Sequence, residues 1–393
     1  MRPTRLRALE LGFVAAIALE MTLMILAMFN VSVSTSLAGI RISSRTIFRP
    51  FVLTVATVIA YLHVCTHRQQ DLMRAWSVVL RHAILFAVCL SALAFMLAIR
   101  VSAFEANAAD QYGYISQASL WARGRLTTYE PLATVAPWRD ATWTFSPLGY
   151  RPGPLPGTIV PTYPPGLPIV MAGLMKLVGP FGAFLAVPLF GSLALFVTFL
   201  LGKQFGGDAC GLLSSSLLFC SPIFLFQLKE PMSDVPVTAW WLVAIALSVV
   251  HRRSAAVMAG LASSAAIMTR PNLVPLALIL AVFMLTYSSS SFRTRVVDTL
   301  LFAAGVIPGC LAIAKLNTAL YGSPLASGYG SMSGLFSMEY LRANLSRYPR
   351  WLLETETPFV CLALIAPALF YRSRNSKSTS AEAGLPKIGR AHV

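Results

Sequence analysis

A succession of apolar runs governs what this chain can become. They lie at about 11–33, 48–65, 79–104, 182–202, 208–227, 233–250, 255–269, 272–288, 298–319 and 356–371, each long enough, or nearly so, to span a bilayer. Of the 393 residues, 56% are hydrophobic and 12% charged, the latter about half the share in an ordinary soluble domain. A soluble fold of this length has too little interior to hide that much apolar surface. The chain therefore reads as an all-α polytopic membrane protein with about ten transmembrane helices. The net charge of +16 is spread over short loops rather than gathered into one basic stripe. That pattern sets membrane orientation and argues against nucleic acid as a partner.

Counting ten helices puts the N-terminus, Arg68/Arg74/Arg81, Lys203, Arg252/Arg253, Arg293/Arg295 and Arg372/Arg374/Lys377 on one side, which is then cytoplasmic. Arg41, Arg45 and Arg49 fall on the other side, against the rule. Arg2, Arg5 and Arg7 precede the first run and no A-x-A site follows it, so it reads as a retained helix rather than a cleaved signal. The six cysteines (65, 89, 210, 220, 310, 361) lie in apolar segments or at their presumed cytoplasmic ends. No disulfide, metal site or cofactor is expected from them.

Three regions follow: an N-terminal transmembrane hairpin at 1–78, a main membrane domain at 79–371 with long outer loops at 105–181 and 320–355, and a polar tail at 372–393 expected to be disordered and cytoplasmic. The tail ends in IGRAHV, a string that a common sequencing adapter can encode, so the native C-terminus is expected to be missing. In the first loop, YPPGLPIVMAGLMKLVG holds only about a dozen apolar residues after Pro168, too few to cross, and reads as a helix lying in the membrane interface.

Most acidic residues collect on the outer face. One group is Asp110 with Tyr112 and Tyr114 in DQYGYISQASLW; another is Lys229, Glu230 and Asp234 in the Pro-broken turn LKEPMSDVP. Ionisable groups at helix ends in a membrane are costly to hold and often functional. Asp234 has a plainer alternative as the N-cap of a helix over 236–250. Arg270 in MTRPNLVP sits at a helix break made by Pro271, where its guanidinium would suit a phosphate or would simply snorkel to the interface; Lys229 invites the same two readings. The second loop adds Arg342, Arg347 and Arg350 beside Tyr340, Tyr348 and Trp351, a mix suited to sugars and phosphates or to an interfacial belt.

Taken in order, DQYGYISQASLWARGRL, PTYPPGLPIVMAGLMKLVG, KEPMSDVPVTAWW and IMTRPNLVPLAL resemble the GT-C superfamily of membrane glycosyltransferases, in particular the dolichyl-phosphate-mannose protein mannosyltransferase and lipid A aminoarabinose transferase group. The likeness covers roughly residues 85–360. Two helices precede the one before the first loop, and the further C-terminal helices or outer domain of that group have no counterpart. The resemblance implies a GT-C-like fold and inverting transfer from a polyprenyl-phosphate sugar to a lipid, glycan or protein acceptor at the outer face of a bacterial cytoplasmic membrane. It makes Asp110 the base, lets Glu230 or Asp234 orient acceptor or sugar, and gives Arg270 and Lys229 to the lipid phosphate. Tyr112, Tyr114, Tyr163 and Arg347 are further expected substrate contacts. No DxD motif is present, in keeping with a lipid-phosphate donor rather than a metal-held nucleotide sugar. The rival reading is a transporter or flippase of lipid-linked glycans, with the carboxylates as a proton relay.

The charge bias fixes a topology that can be tested without knowing the activity. In a background lacking the native cysteines, a cysteine at Ser146 should react with an impermeant maleimide from outside, and one at Ser290 should not. Labelling of both from one side would overturn the ten-helix arrangement.

Overall fold

The structure is a computed structural model that describes residues 3–28, 34–37, 40–43, 48–65, 69–250, 252–287, 291–330 and 337–356, with the single positions 361, 363 and 365. The apolar run expected at 356–371 and the tail lie largely outside these residues. The chain divides into two compact units, Met1–His82 and Ala83–Val393.

In the first unit, α1 (Pro3–Met28) and α2 (Phe48–Val64) pack against each other, joined in sequence through a two-stranded antiparallel hairpin, β1 (Ser34–Leu37) and β2 (Ile40–Ser43). The helix contact includes an edge-on Phe13–Tyr61 ring pair at 5.8 Å and a hydrogen bond of 3.1 Å from the Thr57 hydroxyl to Glu20 Oε1. The stretch read from sequence as a basic loop instead forms α3 (Gln69–Arg81).

The second unit is nearly all helical. It begins with α4 (Ala83–Val101) and α5 (Ala109–Ala122), followed by short pieces of the first loop: β3 (Thr128–Tyr129), α6 (Leu132–Val135), α7 (Ala141–Phe145), β4 (Tyr150–Pro152) and β5 (Thr158–Pro161). The strands form a three-stranded antiparallel sheet in the order β3-β5-β4. An all-helical reading misses it, because strands of two to four residues leave no periodic pattern. Next come α8 (Gly166–Val178), α9 (Gly182–Cys220), α10 (Pro222–Leu228), α11 (Asp234–Ser248), α12 (Arg253–Thr269), α13 (Val274–Tyr287), α14 (Phe292–Tyr321) and α15 (Leu341–Glu356). Among the described residues, three helices are long and apolar enough to cross a membrane: α4, α9 and α14. Large apolar side chains lie bare on these helices and their neighbours, as Leu300 and Leu311 at 63% exposure and Leu278 at 68% illustrate. Lipid tolerates such a surface and water does not. This is a membrane protein.

Helix α9 turns back on itself. Gly207 has φ 78° and ψ −175°, outside the helical region and open only to glycine at little cost. Past it the two arms pack together: a side chain on Gly202 would meet Gly211 Cα at 2.8 Å, and the Ser215 hydroxyl donates to the Leu195 carbonyl at 3.0 Å. A Lys203–Asp208 ion pair of 2.7 Å closes the turn. The two arms answer to the separate apolar runs at 182–202 and 208–227. The last residues of the second run split off as α10, because Ser221 is extended and caps the Phe224 amide ahead of Pro222 at the first helical turn.

The core runs from α4 through α9 to α11, then from α11 to α12 and from α12 to α14, with α8 resting on α9 and α5 on α8. The α12–α14 contact is made by small residues. Gly260 and Ser264 on α12 face Gly305 and Gly309 on α14, and a Cβ at Gly305 would lie 2.5 Å from the Val257 carbonyl oxygen. Pro308 interrupts the hydrogen-bond ladder of α14. The Gly309 amide donates instead to the Ser264 hydroxyl, which donates in turn to the Val306 carbonyl at 3.2 Å. Without a hydrophobic force between helices in lipid, close backbone approach and such polar ties hold them together.

Gly305→Val should therefore force α12 and α14 apart and cost about 1–3 kcal/mol, the usual range for overpacking. Gly173→Ala, with nothing within 4 Å of the added Cβ, should leave the detergent melting temperature unchanged or slightly raised. Equal melting curves for Gly305→Val and wild type would show that the two helices are not held at this contact.

Candidate functional site

Helix α5, the loop before α8, the turn before α11 and the ends of α12 and α14 surround a cavity of about 580 Å³. One wall is apolar and comes largely from α14, with Ile313, Leu316 and Leu320. The lining also includes Asp110, Tyr114, Tyr163, Ser233 and Arg270. Residues as far apart in sequence as Asp110 and Tyr329 are thus brought to one place, and local geometry explains how.

Asp110 and Tyr114 lie one turn apart near the start of α5 and so share a face. Tyr163 arrives from the loop before α8. Its ring lies on the backbone of α5: a Cβ at Gly113 would meet Tyr163 Cε2 at 2.0 Å, and one at Gly149 would meet it at 2.8 Å. Gln117, fully buried in the next turn, donates to the Tyr163 carbonyl at 3.0 Å and fixes the loop. The Tyr163 hydroxyl then donates to Asp110 Oδ1 at 2.6 Å, while the ring stacks at 4.6 Å on Tyr114. Among the described residues this phenol is the only side-chain hydrogen-bond donor to Asp110, whose other oxygen has no hydrogen bond from them. Burial first, and then the bond to Asp110, push the Tyr163 phenol above its ordinary range, so it stays a donor.

Arg270 stands at the break between α12 and α13. It ends α12 in an extended conformation (φ −143°, ψ 93°) before a single turn of 3-10 helix, Pro271–Leu273. Gly166 lets the start of α8 press against this point, since a Cβ there would meet the Thr269 amide nitrogen at 2.5 Å. The guanidinium Nε donates to Ser233 Oγ at 2.9 Å and Nη2 pairs with Asp234 Oδ1 at 2.8 Å. Its Nη1 has no protein partner among the described residues. Ser233, buried at the start of α11, also accepts the Tyr114 hydroxyl at 3.0 Å. Burial raises the Tyr114 phenol above its ordinary range, with the Ser233 bond and Arg270 acting against it.

The remaining expected site residues lie elsewhere. Glu230 is buried behind the site, where it accepts from the Gln111 side-chain amide and pairs with Lys229 at 3.2 Å. Lys229 sits over the Phe226 ring at 5.1 Å. These two tie α5 to the α10–α11 turn and do not line the cavity. Asp234 does not line it either: it is the first residue of α11, with Ser233 in the capping position, and its carboxylate holds Arg270. Tyr112 is exposed and near Tyr150, on another side of α5. Arg347 is exposed on α15, away from the cavity lining.

Sequence reasoning missed Ser233, a hydroxyl in a turn that carries no pattern of its own. It also missed the cover over the cavity. Residues Pro324–Tyr329 close one side, and Arg151 holds them by donating to the Ser327 and Gly328 carbonyls, both at 3.0 Å. Arg151 lies at the same time 5.9 Å from the Trp143 ring centre and 5.8 Å from that of Tyr321. Tyr321 donates to the Pro161 carbonyl at 2.7 Å.

The arrangement can take an amphiphile with an anionic head. A free guanidinium edge meets a phosphate, a carboxylate held from behind takes a proton, and the apolar wall accepts hydrocarbon. Comparison with family models, curated proteins and solved structures returns no match, so the functional reading rests on this geometry and on the sequence motifs.

Proposed function

We propose that the chain is a GT-C-like glycosyltransferase of about ten transmembrane helices, moving a sugar from a polyprenyl-phosphate donor to an acceptor hydroxyl at the outer face of a bacterial cytoplasmic membrane. The observation that carries this reading is that Asp110 and Arg270, each with an unengaged edge among the described residues, line one cavity together with the apolar side chains Ile313, Leu316 and Leu320. In the step so assigned, Asp110 takes the proton from the acceptor hydroxyl as its oxygen attacks the anomeric carbon. The bond from that carbon to the phosphate oxygen breaks, and the phosphate leaves with the bonding pair. A phosphate is already a good leaving group and needs no strong acid, only stabilisation of its charge, which Arg270 supplies. Asp234 and Ser233 orient that guanidinium, and Tyr163 orients the base.

Sugar released to acceptor from a labelled polyprenyl-phosphate donor, with membranes expressing the chain, separates this reading from a flippase, which would move the donor intact. Asp110→Asn keeps the size and the bond from Tyr163 but removes the base. Its kcat should fall by about 10²–10⁴-fold, with donor KM little changed. Wild-type rates from a stably inserted Asp110→Asn protein would sink the assignment.

Arg270→Ala should raise the donor KM on the order of ten- to a hundredfold, the worth of about 1.5–3 kcal/mol for a charge-assisted contact. If only the amount of inserted protein fell, Arg270 would be an anchor for the α12–α13 break and nothing more.

A further inference from the structure

The sugar itself must lie between the base and the phosphate site, and the cavity wall there has a definite character. Besides Asp110 and Arg270, the described residues that line it carry no acidic or basic side chain. What they do carry is spare neutral hydrogen-bonding capacity. Asn272, two residues beyond Arg270 on the 3-10 turn, lines the cavity with its amide free of any partner among the described residues. The Thr162 hydroxyl, beside Tyr163, is free in the same sense. Asn317 spends its Nδ2 on the Pro324 carbonyl at 3.2 Å and keeps its oxygen. The Tyr329 hydroxyl, on a half-exposed side chain, adds another unengaged donor.

Resting on the function proposed above, we infer that the cavity selects an uncharged sugar, a hexose or pentose bearing only hydroxyls, and that Asn272 is the residue that reads it. An amide offers donors and an acceptor on one flat group and so matches a pair of neighbouring hydroxyls. Its place next to Arg270 sets it one short step from the phosphate. A charged sugar fares badly here. An ammonium would need a carboxylate other than the base, and a carboxylate would need a cation other than the one on the phosphate; the described lining offers neither.

The test uses the full chain in lipid nanodiscs, with polyprenyl-phosphate donors carrying a neutral hexose, an aminopentose or a hexuronate, and with sugar-free polyprenyl phosphate as competitor. Wild type should use the neutral donor in preference to either charged one by about tenfold in kcat/KM. Asn272→Ala should raise KM for the neutral donor about three- to tenfold and leave inhibition by sugar-free polyprenyl phosphate unchanged, whereas Arg270→Ala weakens both. Asn272→Asp should shift the preference toward the aminopentose donor. Equal use of charged and neutral donors by wild type, or equal weakening of donor and sugar-free lipid in Asn272→Ala, would overturn the inference while leaving the transferase reading intact. Failure of wild type to bind sugar-free lipid or to use any donor would remove that reading, and this inference with it.

Discussion

The site depends on one guanidinium held at a helix break. Pro271 ends α12, so Arg270 leaves the helical path and its side chain is free to reach sideways to the start of α11. There Ser233 and Asp234 receive it, one through Nε and the other through Nη2. Tyr114 binds the same Ser233 hydroxyl from α5, so a single buried oxygen joins three segments of chain. A guanidinium this close to lipid without counter-charge would be costly. The pair with Asp234 offsets that cost and leaves Nη1 without a protein partner among the described residues. Because the contacts engage both ends of a rigid planar group, they fix its orientation and not only its presence.

The same tie explains why glycines matter around it. Tyr163 reaches Asp110 only because Gly113 and Gly149 leave room for its ring on the backbone of α5, and α8 reaches Thr269 only because Gly166 has no side chain. Hydrogen bonds of fixed length cannot form between elements that are kept apart. The close backbone approaches come first, and the polar network becomes possible as a result.

Much of this was legible in the sequence, and what was not had physical reasons. Apolar runs marked the helices, Pro271 marked the break at Arg270, and Asp110 with Tyr114 stood one helical turn apart on paper as they do in α5. The short apolar helix at Gly166–Val178 was readable in YPPGLPIVMAGLMKLVG. Long-range partnerships were not. Asp234 and Glu230 looked alike, two carboxylates in one turn, yet the chain sends the first to Arg270 and buries the second against Gln111 and Lys229. A choice of that kind is made by tertiary packing, and no spacing encodes it. Nothing in the sequence around Arg151 marks that it binds carbonyls lying 176 and 177 residues ahead.

On the proposed reading, the charge balance of the cavity bears on how a turnover ends. The donor's hydrocarbon tail is already in lipid before it binds, so covering it with the α14 wall adds little affinity; the membrane supplies the donor at high local concentration instead. Recognition is left to the head group. There, Asp110 and Asp234 set two negative charges against the one positive charge of Arg270, and Lys229 is neutralised by Glu230. A phosphodiester donor brings a single negative charge and sits against Nη1 at modest cost. Transfer of the sugar turns that diester into a monoester with a further ionisable oxygen, beside a guanidinium whose charge is already shared with Asp234. The proton now on Asp110 offsets this only until it escapes to water. Once it does, the spent lipid is repelled more strongly than the donor was, and product leaves because the chemistry has changed its charge. A site with a second cation would hold donor more tightly and would also hold the product, so the single Arg270 suits turnover better than a stronger phosphate clamp would.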